Sequence, residues 1–318
     1  MAYVSIPRVE DAGGVFVIDT RHIGNEGTVA VFLVPGEARG FTLVETGPAS
    51  TLAAVKVGIQ EAGFELENLE NILLTHIHLD HAGAAGALAA ETGATVYVHD
   101  IGAPHLIDPS RLMASATRIY GNKMDTLWGP MTPISEAQIK PLHGGETLKL
   151  GGHTVKVIYT PGHASHHVAY LLDEDALFTG DAAAIHLRGS SVVRPALPPP
   201  EIDLETWRET TQAMLAAKPK RLLLTHFGEV TDPETHLRRV PERNGAWAEV
   251  ILEGMRAGED DEALVKRIAA YGNAELTADD AQPEVMARHQ VTSNYAMTVL
   301  GVTRYWRKHH PEKLKKEG

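Results

Sequence analysis

Short apolar runs, separated by turns rich in Gly, Pro and acidic residues, alternate with helical patterns along most of the chain. Such runs predict β-strands, and an Asp, Ser or Thr directly before a helical pattern predicts a helix start. The predicted strands cover residues 29–34, 41–44, 72–74, 95–98, 147–150, 153–159, 168–172, 176–178 and 222–224. The predicted helices between them cover residues 50–63, 84–91, 110–119 and 203–217.

Two parts of the chain depart from this alternation. Residues 101–139 combine helical patterns with the bulky apolar residues Met124, Trp128 and Met131, which predicts a helical insertion. The insertion either covers a site, where these three residues would contact a substrate, or forms a satellite core beneath a long loop. Beyond Asp232 and Pro233, a helix cap followed by a first-turn proline, only helical patterns remain. The layout predicts an α/β domain at 1–230 and a helical region at 231–318 that packs on it.

Composition and charge narrow the classes of function. The 318 residues are 43% hydrophobic and 22% charged, as in ordinary globular proteins, and the formal net charge of −12 argues against nucleic acid as a partner. The chain has no cysteine, so any metal must bind to His, Asp or Glu side chains. No apolar run approaches the roughly 20 residues of a membrane span, and residues 1–8 lack the basic and apolar regions of a signal peptide. These features predict a cytoplasmic protein with no membrane partner.

The clearest chemical signal is a His-x-His-x-Asp-His cluster directly after the predicted strand 72–74. Side chains alternate along a strand, so His76 and His78 are expected to point to the same side. The Ala- and Gly-rich helix that follows would turn Asp80 and His81 towards a second position. Four metal-binding side chains so close together are hard to explain as packing, and their geometry suggests two metals.

Three more candidate ligands follow apolar runs later in the chain. His163 ends a Thr-Pro-Gly-His turn, Asp181 follows Gly180, and His226 ends a Leu-Leu-Thr-His stretch that repeats residues 73–76. All these segments can converge at one edge of a pair of sheets. Imidazoles and carboxylates without a thiol suit Zn²⁺, with Fe or Mn as alternatives.

These motifs, in this order, resemble those of the metallo-β-lactamase-fold hydrolases over residues 15–230. The resemblance implies an α/β fold, the αββα sandwich of two mixed sheets, to which the pattern adds a helical insertion and C-terminal helices. It also implies a dinuclear centre, with one set of ligands for each metal and a bridging aspartate. The first set is His76, His78 and His163, the second is Asp80, His81 and His226, and the bridge is Asp181.

One residue departs from the family pattern. Many relatives carry Asp-Thr-Gly after the first strands, whereas this chain has Glu45-Thr46-Gly47. If that acid supports a ligand histidine, the longer Glu45 must reach it by a different route. We therefore do not predict Glu45 to be a ligand.

The activity implied by the resemblance is hydrolysis of a small carboxylic ester, lactone or thioester by a hydroxide that bridges the two metals. The lactonase-like and glyoxalase II-like branches are the most similar in layout, and Asp80 is the candidate to orient the hydroxide or to protonate the leaving group. Alternatives are a phosphodiesterase of the same fold, an iron-dependent persulfide dioxygenase and a non-catalytic metal-binding protein. The expected partner is a small-molecule substrate. Tyr295 and Trp306 are expected to pack either on the domain or on a second subunit of a homodimer.

Overall fold

The structure, a computed structural model, describes residues 8–315, so most of the segment used for the signal-peptide prediction lies outside it. One sheet contains β1 (Arg8–Ala12), β2 (Val15–Asp19), β3 (Ala30–Pro35), β4 (Phe41–Val44), β5 (Leu69–Leu73), β6 (Thr95–His99) and β7 (Ile139–Leu142). These strands lie side by side in chain order, antiparallel as far as β4 and parallel from β4 to β7.

The second sheet contains β8 (Thr147–Leu150), β9 (His153–Tyr159), β10 (Val168–Leu172), β11 (Ala176–Phe178), β12 (Arg221–Leu224) and β13 (Gly228–Val230). Its spatial order is β13-β12-β11-β10-β9-β8. Strands β11 and β12 pair in parallel and the other neighbours are antiparallel. Both sheets are therefore mixed, as predicted.

Strand β3 shows why the apolar runs form central strands. Its side chains alternate between two clusters, with Val31 and Leu33 on the outer face of the sheet and Phe32 and Val34 between the sheets. The Phe32 ring lies 5.3 Å from that of Phe178 in the second sheet. A strand that is buried on both faces needs a continuous apolar run rather than an alternating one.

Residues 8–315 form eleven α-helices. They are α1 (Leu52–Glu61), α2 (Leu79–Ala82), α3 (Ala85–Thr92), α4 (Ala103–Ile107), α5 (Ser110–Tyr120), α6 (Met124–Leu127), α7 (Leu204–Ala216), α8 (Pro233–Ala257), α9 (Asp261–Ala278), α10 (Pro283–Thr292) and α11 (Tyr295–His309). Helices α1 and α3 pack on the first sheet and α7 packs on the second, which confirms the αββα arrangement. Helices α4 to α6 form the predicted insertion between β6 and β7.

The C-terminal helices pack on the sandwich. Buried residues of α8, α9 and α11 belong to the same hydrophobic cluster as the residues between the sheets. The indole nitrogen of Trp306 donates to the carbonyl of Ala248 at 2.9 Å, and the ring of Tyr295 stacks on Trp247 at 5.9 Å. Both aromatic residues therefore have packing partners within the chain. The division into two domains at residue 230 stays a prediction.

The pattern does not predict strands β1, β2, β7 and β13, and all of these except β2 are edge strands. Strand β1 is polar, and β7 contains Pro141, which removes one donor from the ladder and is tolerated at an edge. Polar edge strands carry too few apolar residues to show the strand period. Within residues 8–315, no helix is long and apolar enough to cross a membrane.

His236 on α8 makes the folding free energy depend on pH. Its side chain is 5% exposed, and Nε2 donates to the carbonyl of Ala183 at 2.8 Å. Burial lowers the pKa of His236 from 6.5 to about 4, so below pH 6.5 the unfolded chain binds a proton that the folded protein excludes. We expect this group to cost on the order of 3 kcal/mol of stability as the pH falls from 6.5 to 4.

Urea unfolding of the wild type and of His236→Gln across this pH range checks the prediction. The difference between the two free energies of unfolding should change with pH, because only the wild type has the His236 side chain. Carboxyl groups titrate in both proteins, so their contribution cancels in this difference. His143→Gln, a substitution at an exposed histidine, should show no such change in the difference. Parallel pH profiles for the wild type and His236→Gln would contradict the prediction.

Candidate metal centre

The ends of four strands place the predicted ligands at one edge of the sandwich. The segment after β5 carries His76 and His78 and leads into the short helix α2, which carries Asp80 and His81. The remaining three ligands follow strands of the second sheet: His163 after β9, Asp181 after β11 and His226 after β12. All seven predicted ligands come together here, although they span much of the chain.

One group of donor atoms is formed by His76, His78, His163 and Asp181, whose donor atoms all lie within 4.8 Å of one another. Nδ1 of His78 lies 3.0 Å from Nε2 of His76 and 2.9 Å from Nε2 of His163. Oδ2 of Asp181 lies 3.2 Å from the same nitrogen of His163. Three imidazoles and a carboxylate that converge on one point form a complete ligand set for a divalent cation.

A second group contains Asp80, His81 and His226. Nε2 of His226 lies 3.4 Å from Oδ2 of Asp80, and Nε2 of His81 lies 3.9 Å from Oδ1 of Asp80. Oδ1 of Asp181 lies 3.4 Å from both of these histidine nitrogens. The two oxygens of Asp181 thus face different groups, so this carboxylate could contribute a ligand atom to each group.

In four of the five ligand histidines, His78 being the exception, the outer ring nitrogen has its own hydrogen-bond partner. Nδ1 of His163 donates to the carbonyl of Ala196 at 2.9 Å, and Nδ1 of His226 donates to the carbonyl of Thr28 at 2.6 Å. Nδ1 of His76 lies 3.0 Å from Oγ1 of Thr75. With the proton fixed on Nδ1, the lone pair of Nε2 points into the centre, where a metal would need it.

Glu45 is the hydrogen-bond partner of the outer nitrogen of His81 and is not placed as a ligand. Its side chain is fully buried, and Oε1 lies 3.1 Å from Nδ1 of His81, on the side away from Asp80 and Asp181. The same carboxylate accepts a hydrogen bond from the hydroxyl of Thr75. By distance alone Glu45, His76 and His81 could also hold a cation, but the outer position of Glu45 favours the supporting role. This is the route by which the longer side chain reaches its histidine.

Two buried atoms at the centre have no hydrogen-bond partner among the described residues. They are Nε2 of His81 and Oδ1 of Asp181, the two atoms that face each other across the second group. A buried polar atom without a hydrogen-bond partner lowers the stability of the folded protein. A cation bound between these two atoms would supply a partner for both. The nitrogen and oxygen donors present therefore fit divalent metal ions.

The protonation states of the ligand side chains also fit the binding of a divalent metal ion. Burial lowers the pKa of His76 and His78 well below the usual range, and neighbouring imidazoles lower it further, so both rings are neutral. Burial acts to raise the pKa of Asp80 and Asp181, but nearby imidazoles outweigh it and hold both carboxyl groups in the anionic form. Burial acts to lower the pKa of His81, but the surrounding carboxylates raise it, so a cation would displace a proton there.

Gly180 allows Asp181 to reach its position. The backbone at Gly180 has φ +48°, and a Cβ atom there would lie 2.7 Å from Nε2 of His167 and would also collide with Thr75. His167 in turn accepts a hydrogen bond from the amide of Asp181 at 3.2 Å. Any side chain at residue 180 would therefore displace the Asp181 carboxylate.

We expect Gly180→Ala to lower metal affinity by roughly 10- to 100-fold, the range seen when groups around ligands are disturbed. Calorimetric titration of the metal-free variant with Zn²⁺ measures this loss. Gly93→Ala is the matched control, because Gly93 also has a positive φ but a Cβ atom there would meet open space. Equal affinities for Gly180→Ala and Gly93→Ala would contradict the prediction.

A cavity of about 450 Å³ opens directly onto both ligand groups. Its walls come from α5 of the insertion, from the Pro-rich segment 195–201 and from the junction of α10 and α11. The lining is mostly apolar and includes Ile77, Leu79, Leu112, Ile119, Tyr120, Leu127, Ile185, Leu197 and Met297.

Of the three predicted substrate contacts, one lines the cavity and two do not. Trp128 lines the cavity, but the lining does not include Met124 or Met131. These two methionines are 7% and 8% exposed and pack in the core beneath the first sheet, which corrects the prediction for them. An apolar residue in a helical insertion can face either the core or the cavity, and only the packing decides.

Other lining residues carry chemistry that the sequence did not assign. His166 lies in the cavity wall with a pKa that burial lowers to about 4, and His22 lines it from the loop between β2 and β3. His22 comes three residues after β2, a strand that the pattern does not predict, and it belongs to no recognised motif. Its position becomes evident only from contacts with the insertion.

Comparison with known proteins agrees with this geometry. The model of the metallo-beta-lactamase superfamily matches residues 23–226. Metallo-beta-lactamase fold-containing protein ST1585 of Sulfurisphaera tokodaii is 33% identical over 65% of this chain and 79% of its own length. A hydroxyacylglutathione hydrolase of Acidiphilium cryptum is 29% identical over 69% of this chain and 73% of its own length. An atrochrysone carboxyl ACP thioesterase of Aspergillus fumigatus is 30% identical over 57% of this chain, but the match spans only 33% of that protein.

Solved structures extend the similarity to the fold. The crystal structure of ST1585 superposes with a TM-score of 0.58 and 27% identity, covering 72% of this chain and 86% of that one. Metallo-beta-lactamase family protein TTHA1429 of Thermus thermophilus, at 21% identity and a TM-score of 0.58, shares the fold over 95% of this chain and 92% of its own. With its motifs, fold and converging ligand groups, the chain belongs to the metallo-beta-lactamase superfamily of metal-dependent hydrolases.

Proposed function

We propose that this protein hydrolyses a small ester, thioester or lactone, with a thioester as the leading candidate, at a centre of two divalent metal ions, most simply Zn²⁺. The observation that carries the proposal is the mostly apolar cavity whose floor contains both ligand groups. An acyl group that enters this cavity would place its carbonyl beside the centre. Small-molecule sites are commonly apolar clefts with a few polar groups at the reacting end.

Two divalent ions would supply Lewis acidity for the scissile carbonyl and would lower the pKa of water at the centre. His76, His78 and His163 would hold one ion, Asp80, His81 and His226 the other, and Asp181 both. Hydrogen bonds to the outer nitrogens fix the rings of His76, His81, His163 and His226. The apolar walls of the cavity exclude bulk water around the acyl group and so strengthen the electrostatic effect of the centre.

Asp80 is the ligand best placed to handle a proton. It lines the cavity, and its side chain is 24% exposed, compared with 8% for Asp181. We propose that its carboxylate orients the attacking water and passes a proton to the leaving group. Asp80→Asn should then keep most of its metal but lose about 10²-fold in kcat, with kcat measured on the metal-loaded variant. Full metal content together with wild-type kcat would contradict the proton role of Asp80.

The charge of the cavity favours a neutral reacting group over a phosphodiester. Arg111 is the single Arg or Lys among the cavity-lining residues of the described chain, and the net charge is −12. Arg304, Arg307 and Lys308, the basic residues of α11, do not line this cavity. The names of two relatives, a hydroxyacylglutathione hydrolase and a thioesterase, add support for a thioester.

Steady-state kinetics on one panel of substrates separates the candidates. The Zn- or Mn-loaded protein is assayed with an acyl-homoserine lactone, S-lactoylglutathione, an aryl ester and bis-p-nitrophenyl phosphate, and His76→Ala serves as the blank. The highest kcat/KM for a thioester, ester or lactone, abolished in the blank, would support the proposal. A dominant phosphodiester rate would overturn the substrate class, and no hydrolysis at all would favour the dioxygenase or the non-catalytic alternative.

A further inference from the structure

The loop between β2 and β3 holds His22 at the cavity in an uncommon backbone conformation. Arg21 and Ile23, on either side of His22, have φ values of 50° and 47°, a region that β-branched residues rarely adopt. The buried carboxylate of Asp19 stabilises the loop by accepting hydrogen bonds from the amides of Arg21, at 3.1 Å, and Gly27, at 2.8 Å. Surrounding structure thus enforces a conformation that would otherwise be unfavourable.

The ring of His22 is fixed in orientation and in tautomer. Nε2 lies 2.7 Å from the carbonyl of Leu127, and the ring stacks on Trp128 at a centroid distance of 5.3 Å. A carbonyl can only accept, so Nε2 carries the proton and donates. Burial lowers the pKa of His22, and the ring is therefore neutral. In a neutral ring protonated on Nε2, Nδ1 is a hydrogen-bond acceptor.

Nδ1 of His22 is available to a ligand. Among the described residues it has no hydrogen-bond partner, and it is not one of the buried atoms shielded from solvent. The residue lines the cavity together with Asp80 and His226, and the charges of both act on the pKa of His22. The acceptor therefore belongs to a residue that shares the cavity with the second ligand group, and Ile77 and Leu79 in the same lining offer only apolar side chains.

We propose that His22 is a substrate-binding residue whose Nδ1 accepts a hydrogen bond from an N–H or O–H group of the substrate. The protein would then select acyl compounds that carry such a donor close to the scissile carbonyl. This inference rests on the proposed hydrolysis of an acyl substrate and names a substrate class for it. The family match begins at Ile23, so it gives His22 no role.

The selectivity follows from the cost of unpaired polar groups. A substrate with an N–H or O–H donor forms a hydrogen bond with Nδ1, which offsets the free energy of removing both groups from water. A substrate without the donor leaves Nδ1 buried and without a partner. Sites that hydrogen-bond a substrate group reject analogues that lack it more strongly than apolar pockets reject a missing methylene. For one neutral hydrogen bond we expect a preference of roughly tenfold in kcat/KM.

Three matched probes test this preference: the S-phenyl thioesters of butanoic, 2-hydroxybutanoic and 2-acetamidobutanoic acids. Two variants separate the ring nitrogens. His22→Gln can keep a donor to the Leu127 carbonyl but removes the Nδ1 acceptor, and His22→Asn keeps an amide oxygen near the Nδ1 position. His143→Gln, at an exposed histidine, is the control. Each preference is a ratio within one variant, so the amount of folded protein cancels.

We expect the wild type and His143→Gln to favour at least one donor-bearing probe about tenfold, His22→Gln to lose the preference, and His22→Asn to retain part of it. The same preference in the wild type and His22→Gln, or no preference in the wild type, would overturn the role of His22. The ketone isosteres of the three probes, in which CH₂ replaces sulfur, give a second measurement by calorimetry. If no thioester is hydrolysed, the thioester candidate of the proposed function fails. The ratio of ketone Kd values still decides the role of His22: a ratio that His22→Gln abolishes supports the role, and an unchanged ratio overturns it.

Discussion

Replacing Asp181 with asparagine is expected to lower kcat/KM for a thioester by on the order of 10³-fold without unfolding the protein. The two oxygens of Asp181 face different ligand groups, at 3.2 Å from His163 and 3.4 Å from His81 and His226. An amide has the same shape but lacks the negative charge and one of the two acceptors. Both metal positions lose a ligand at once, so metal content should fall together with the rate.

Asp173→Asn is the matched control, because Asp173 lies in the turn after β10, where it pairs with His153. Metal content by mass spectrometry, kcat/KM and the melting temperature are measured for both variants. The control should match the wild type in metal content and rate. If Asp181→Asn kept two metals per chain and the wild-type rate, the bridging role of Asp181 would be wrong.

Replacing Glu45 with alanine is expected to have the second large effect, on stability as well as on the centre. The carboxylate is fully buried and accepts from the Thr75 hydroxyl and from Nδ1 of His81 at 3.1 Å. Alanine would leave both donors buried without a partner and would open a void. We expect the free energy of unfolding to fall by roughly 3–5 kcal/mol and metal affinity to fall by about 10- to 100-fold.

Glu45→Gln separates the two effects. Glutamine fills the same volume and keeps one acceptor oxygen, so most of the stability should return, while the lost charge still weakens the hold on His81. Urea unfolding of the metal-free variants and calorimetric titration with Zn²⁺ measure the two quantities. A Glu45→Ala protein as stable as the wild type, with unchanged affinity, would show that Glu45 supports neither the fold nor the centre.

The candidate ligands could be predicted because each stands directly after an apolar strand. Burial of an apolar strand determines where that strand ends at the edge of the sheet. The residues that follow such strand ends are His76, His163, Asp181 and His226. The spacing of His76 and His78 and the turn into α2 also follow from local geometry. These signals lie within a few residues of each ligand, so no long-range contact is needed to read them.

The cavity wall could not be predicted in the same way. Met124 and Trp128 lie one helical turn apart, yet one is in the core and the other faces the cavity. His22 depends on a carbonyl 105 residues away, at Leu127, and on a loop whose backbone conformation leaves no periodic pattern. Residues that meet only through tertiary packing carry no local signature. The specificity of the cavity is therefore known less well from the sequence than the metal centre.

Titration of metal-stripped protein with Zn²⁺, while thioester hydrolysis is recorded, shows whether the reaction depends on two bound metal ions. Bound metal is counted in the same samples by mass spectrometry, and His76→Ala is titrated in parallel. We predict that hydrolysis is absent without metal and rises to a plateau at two tightly bound ions per chain, with no such rise for His76→Ala. Hydrolysis by the metal-free protein, or an unchanged titration of His76→Ala, would contradict this prediction.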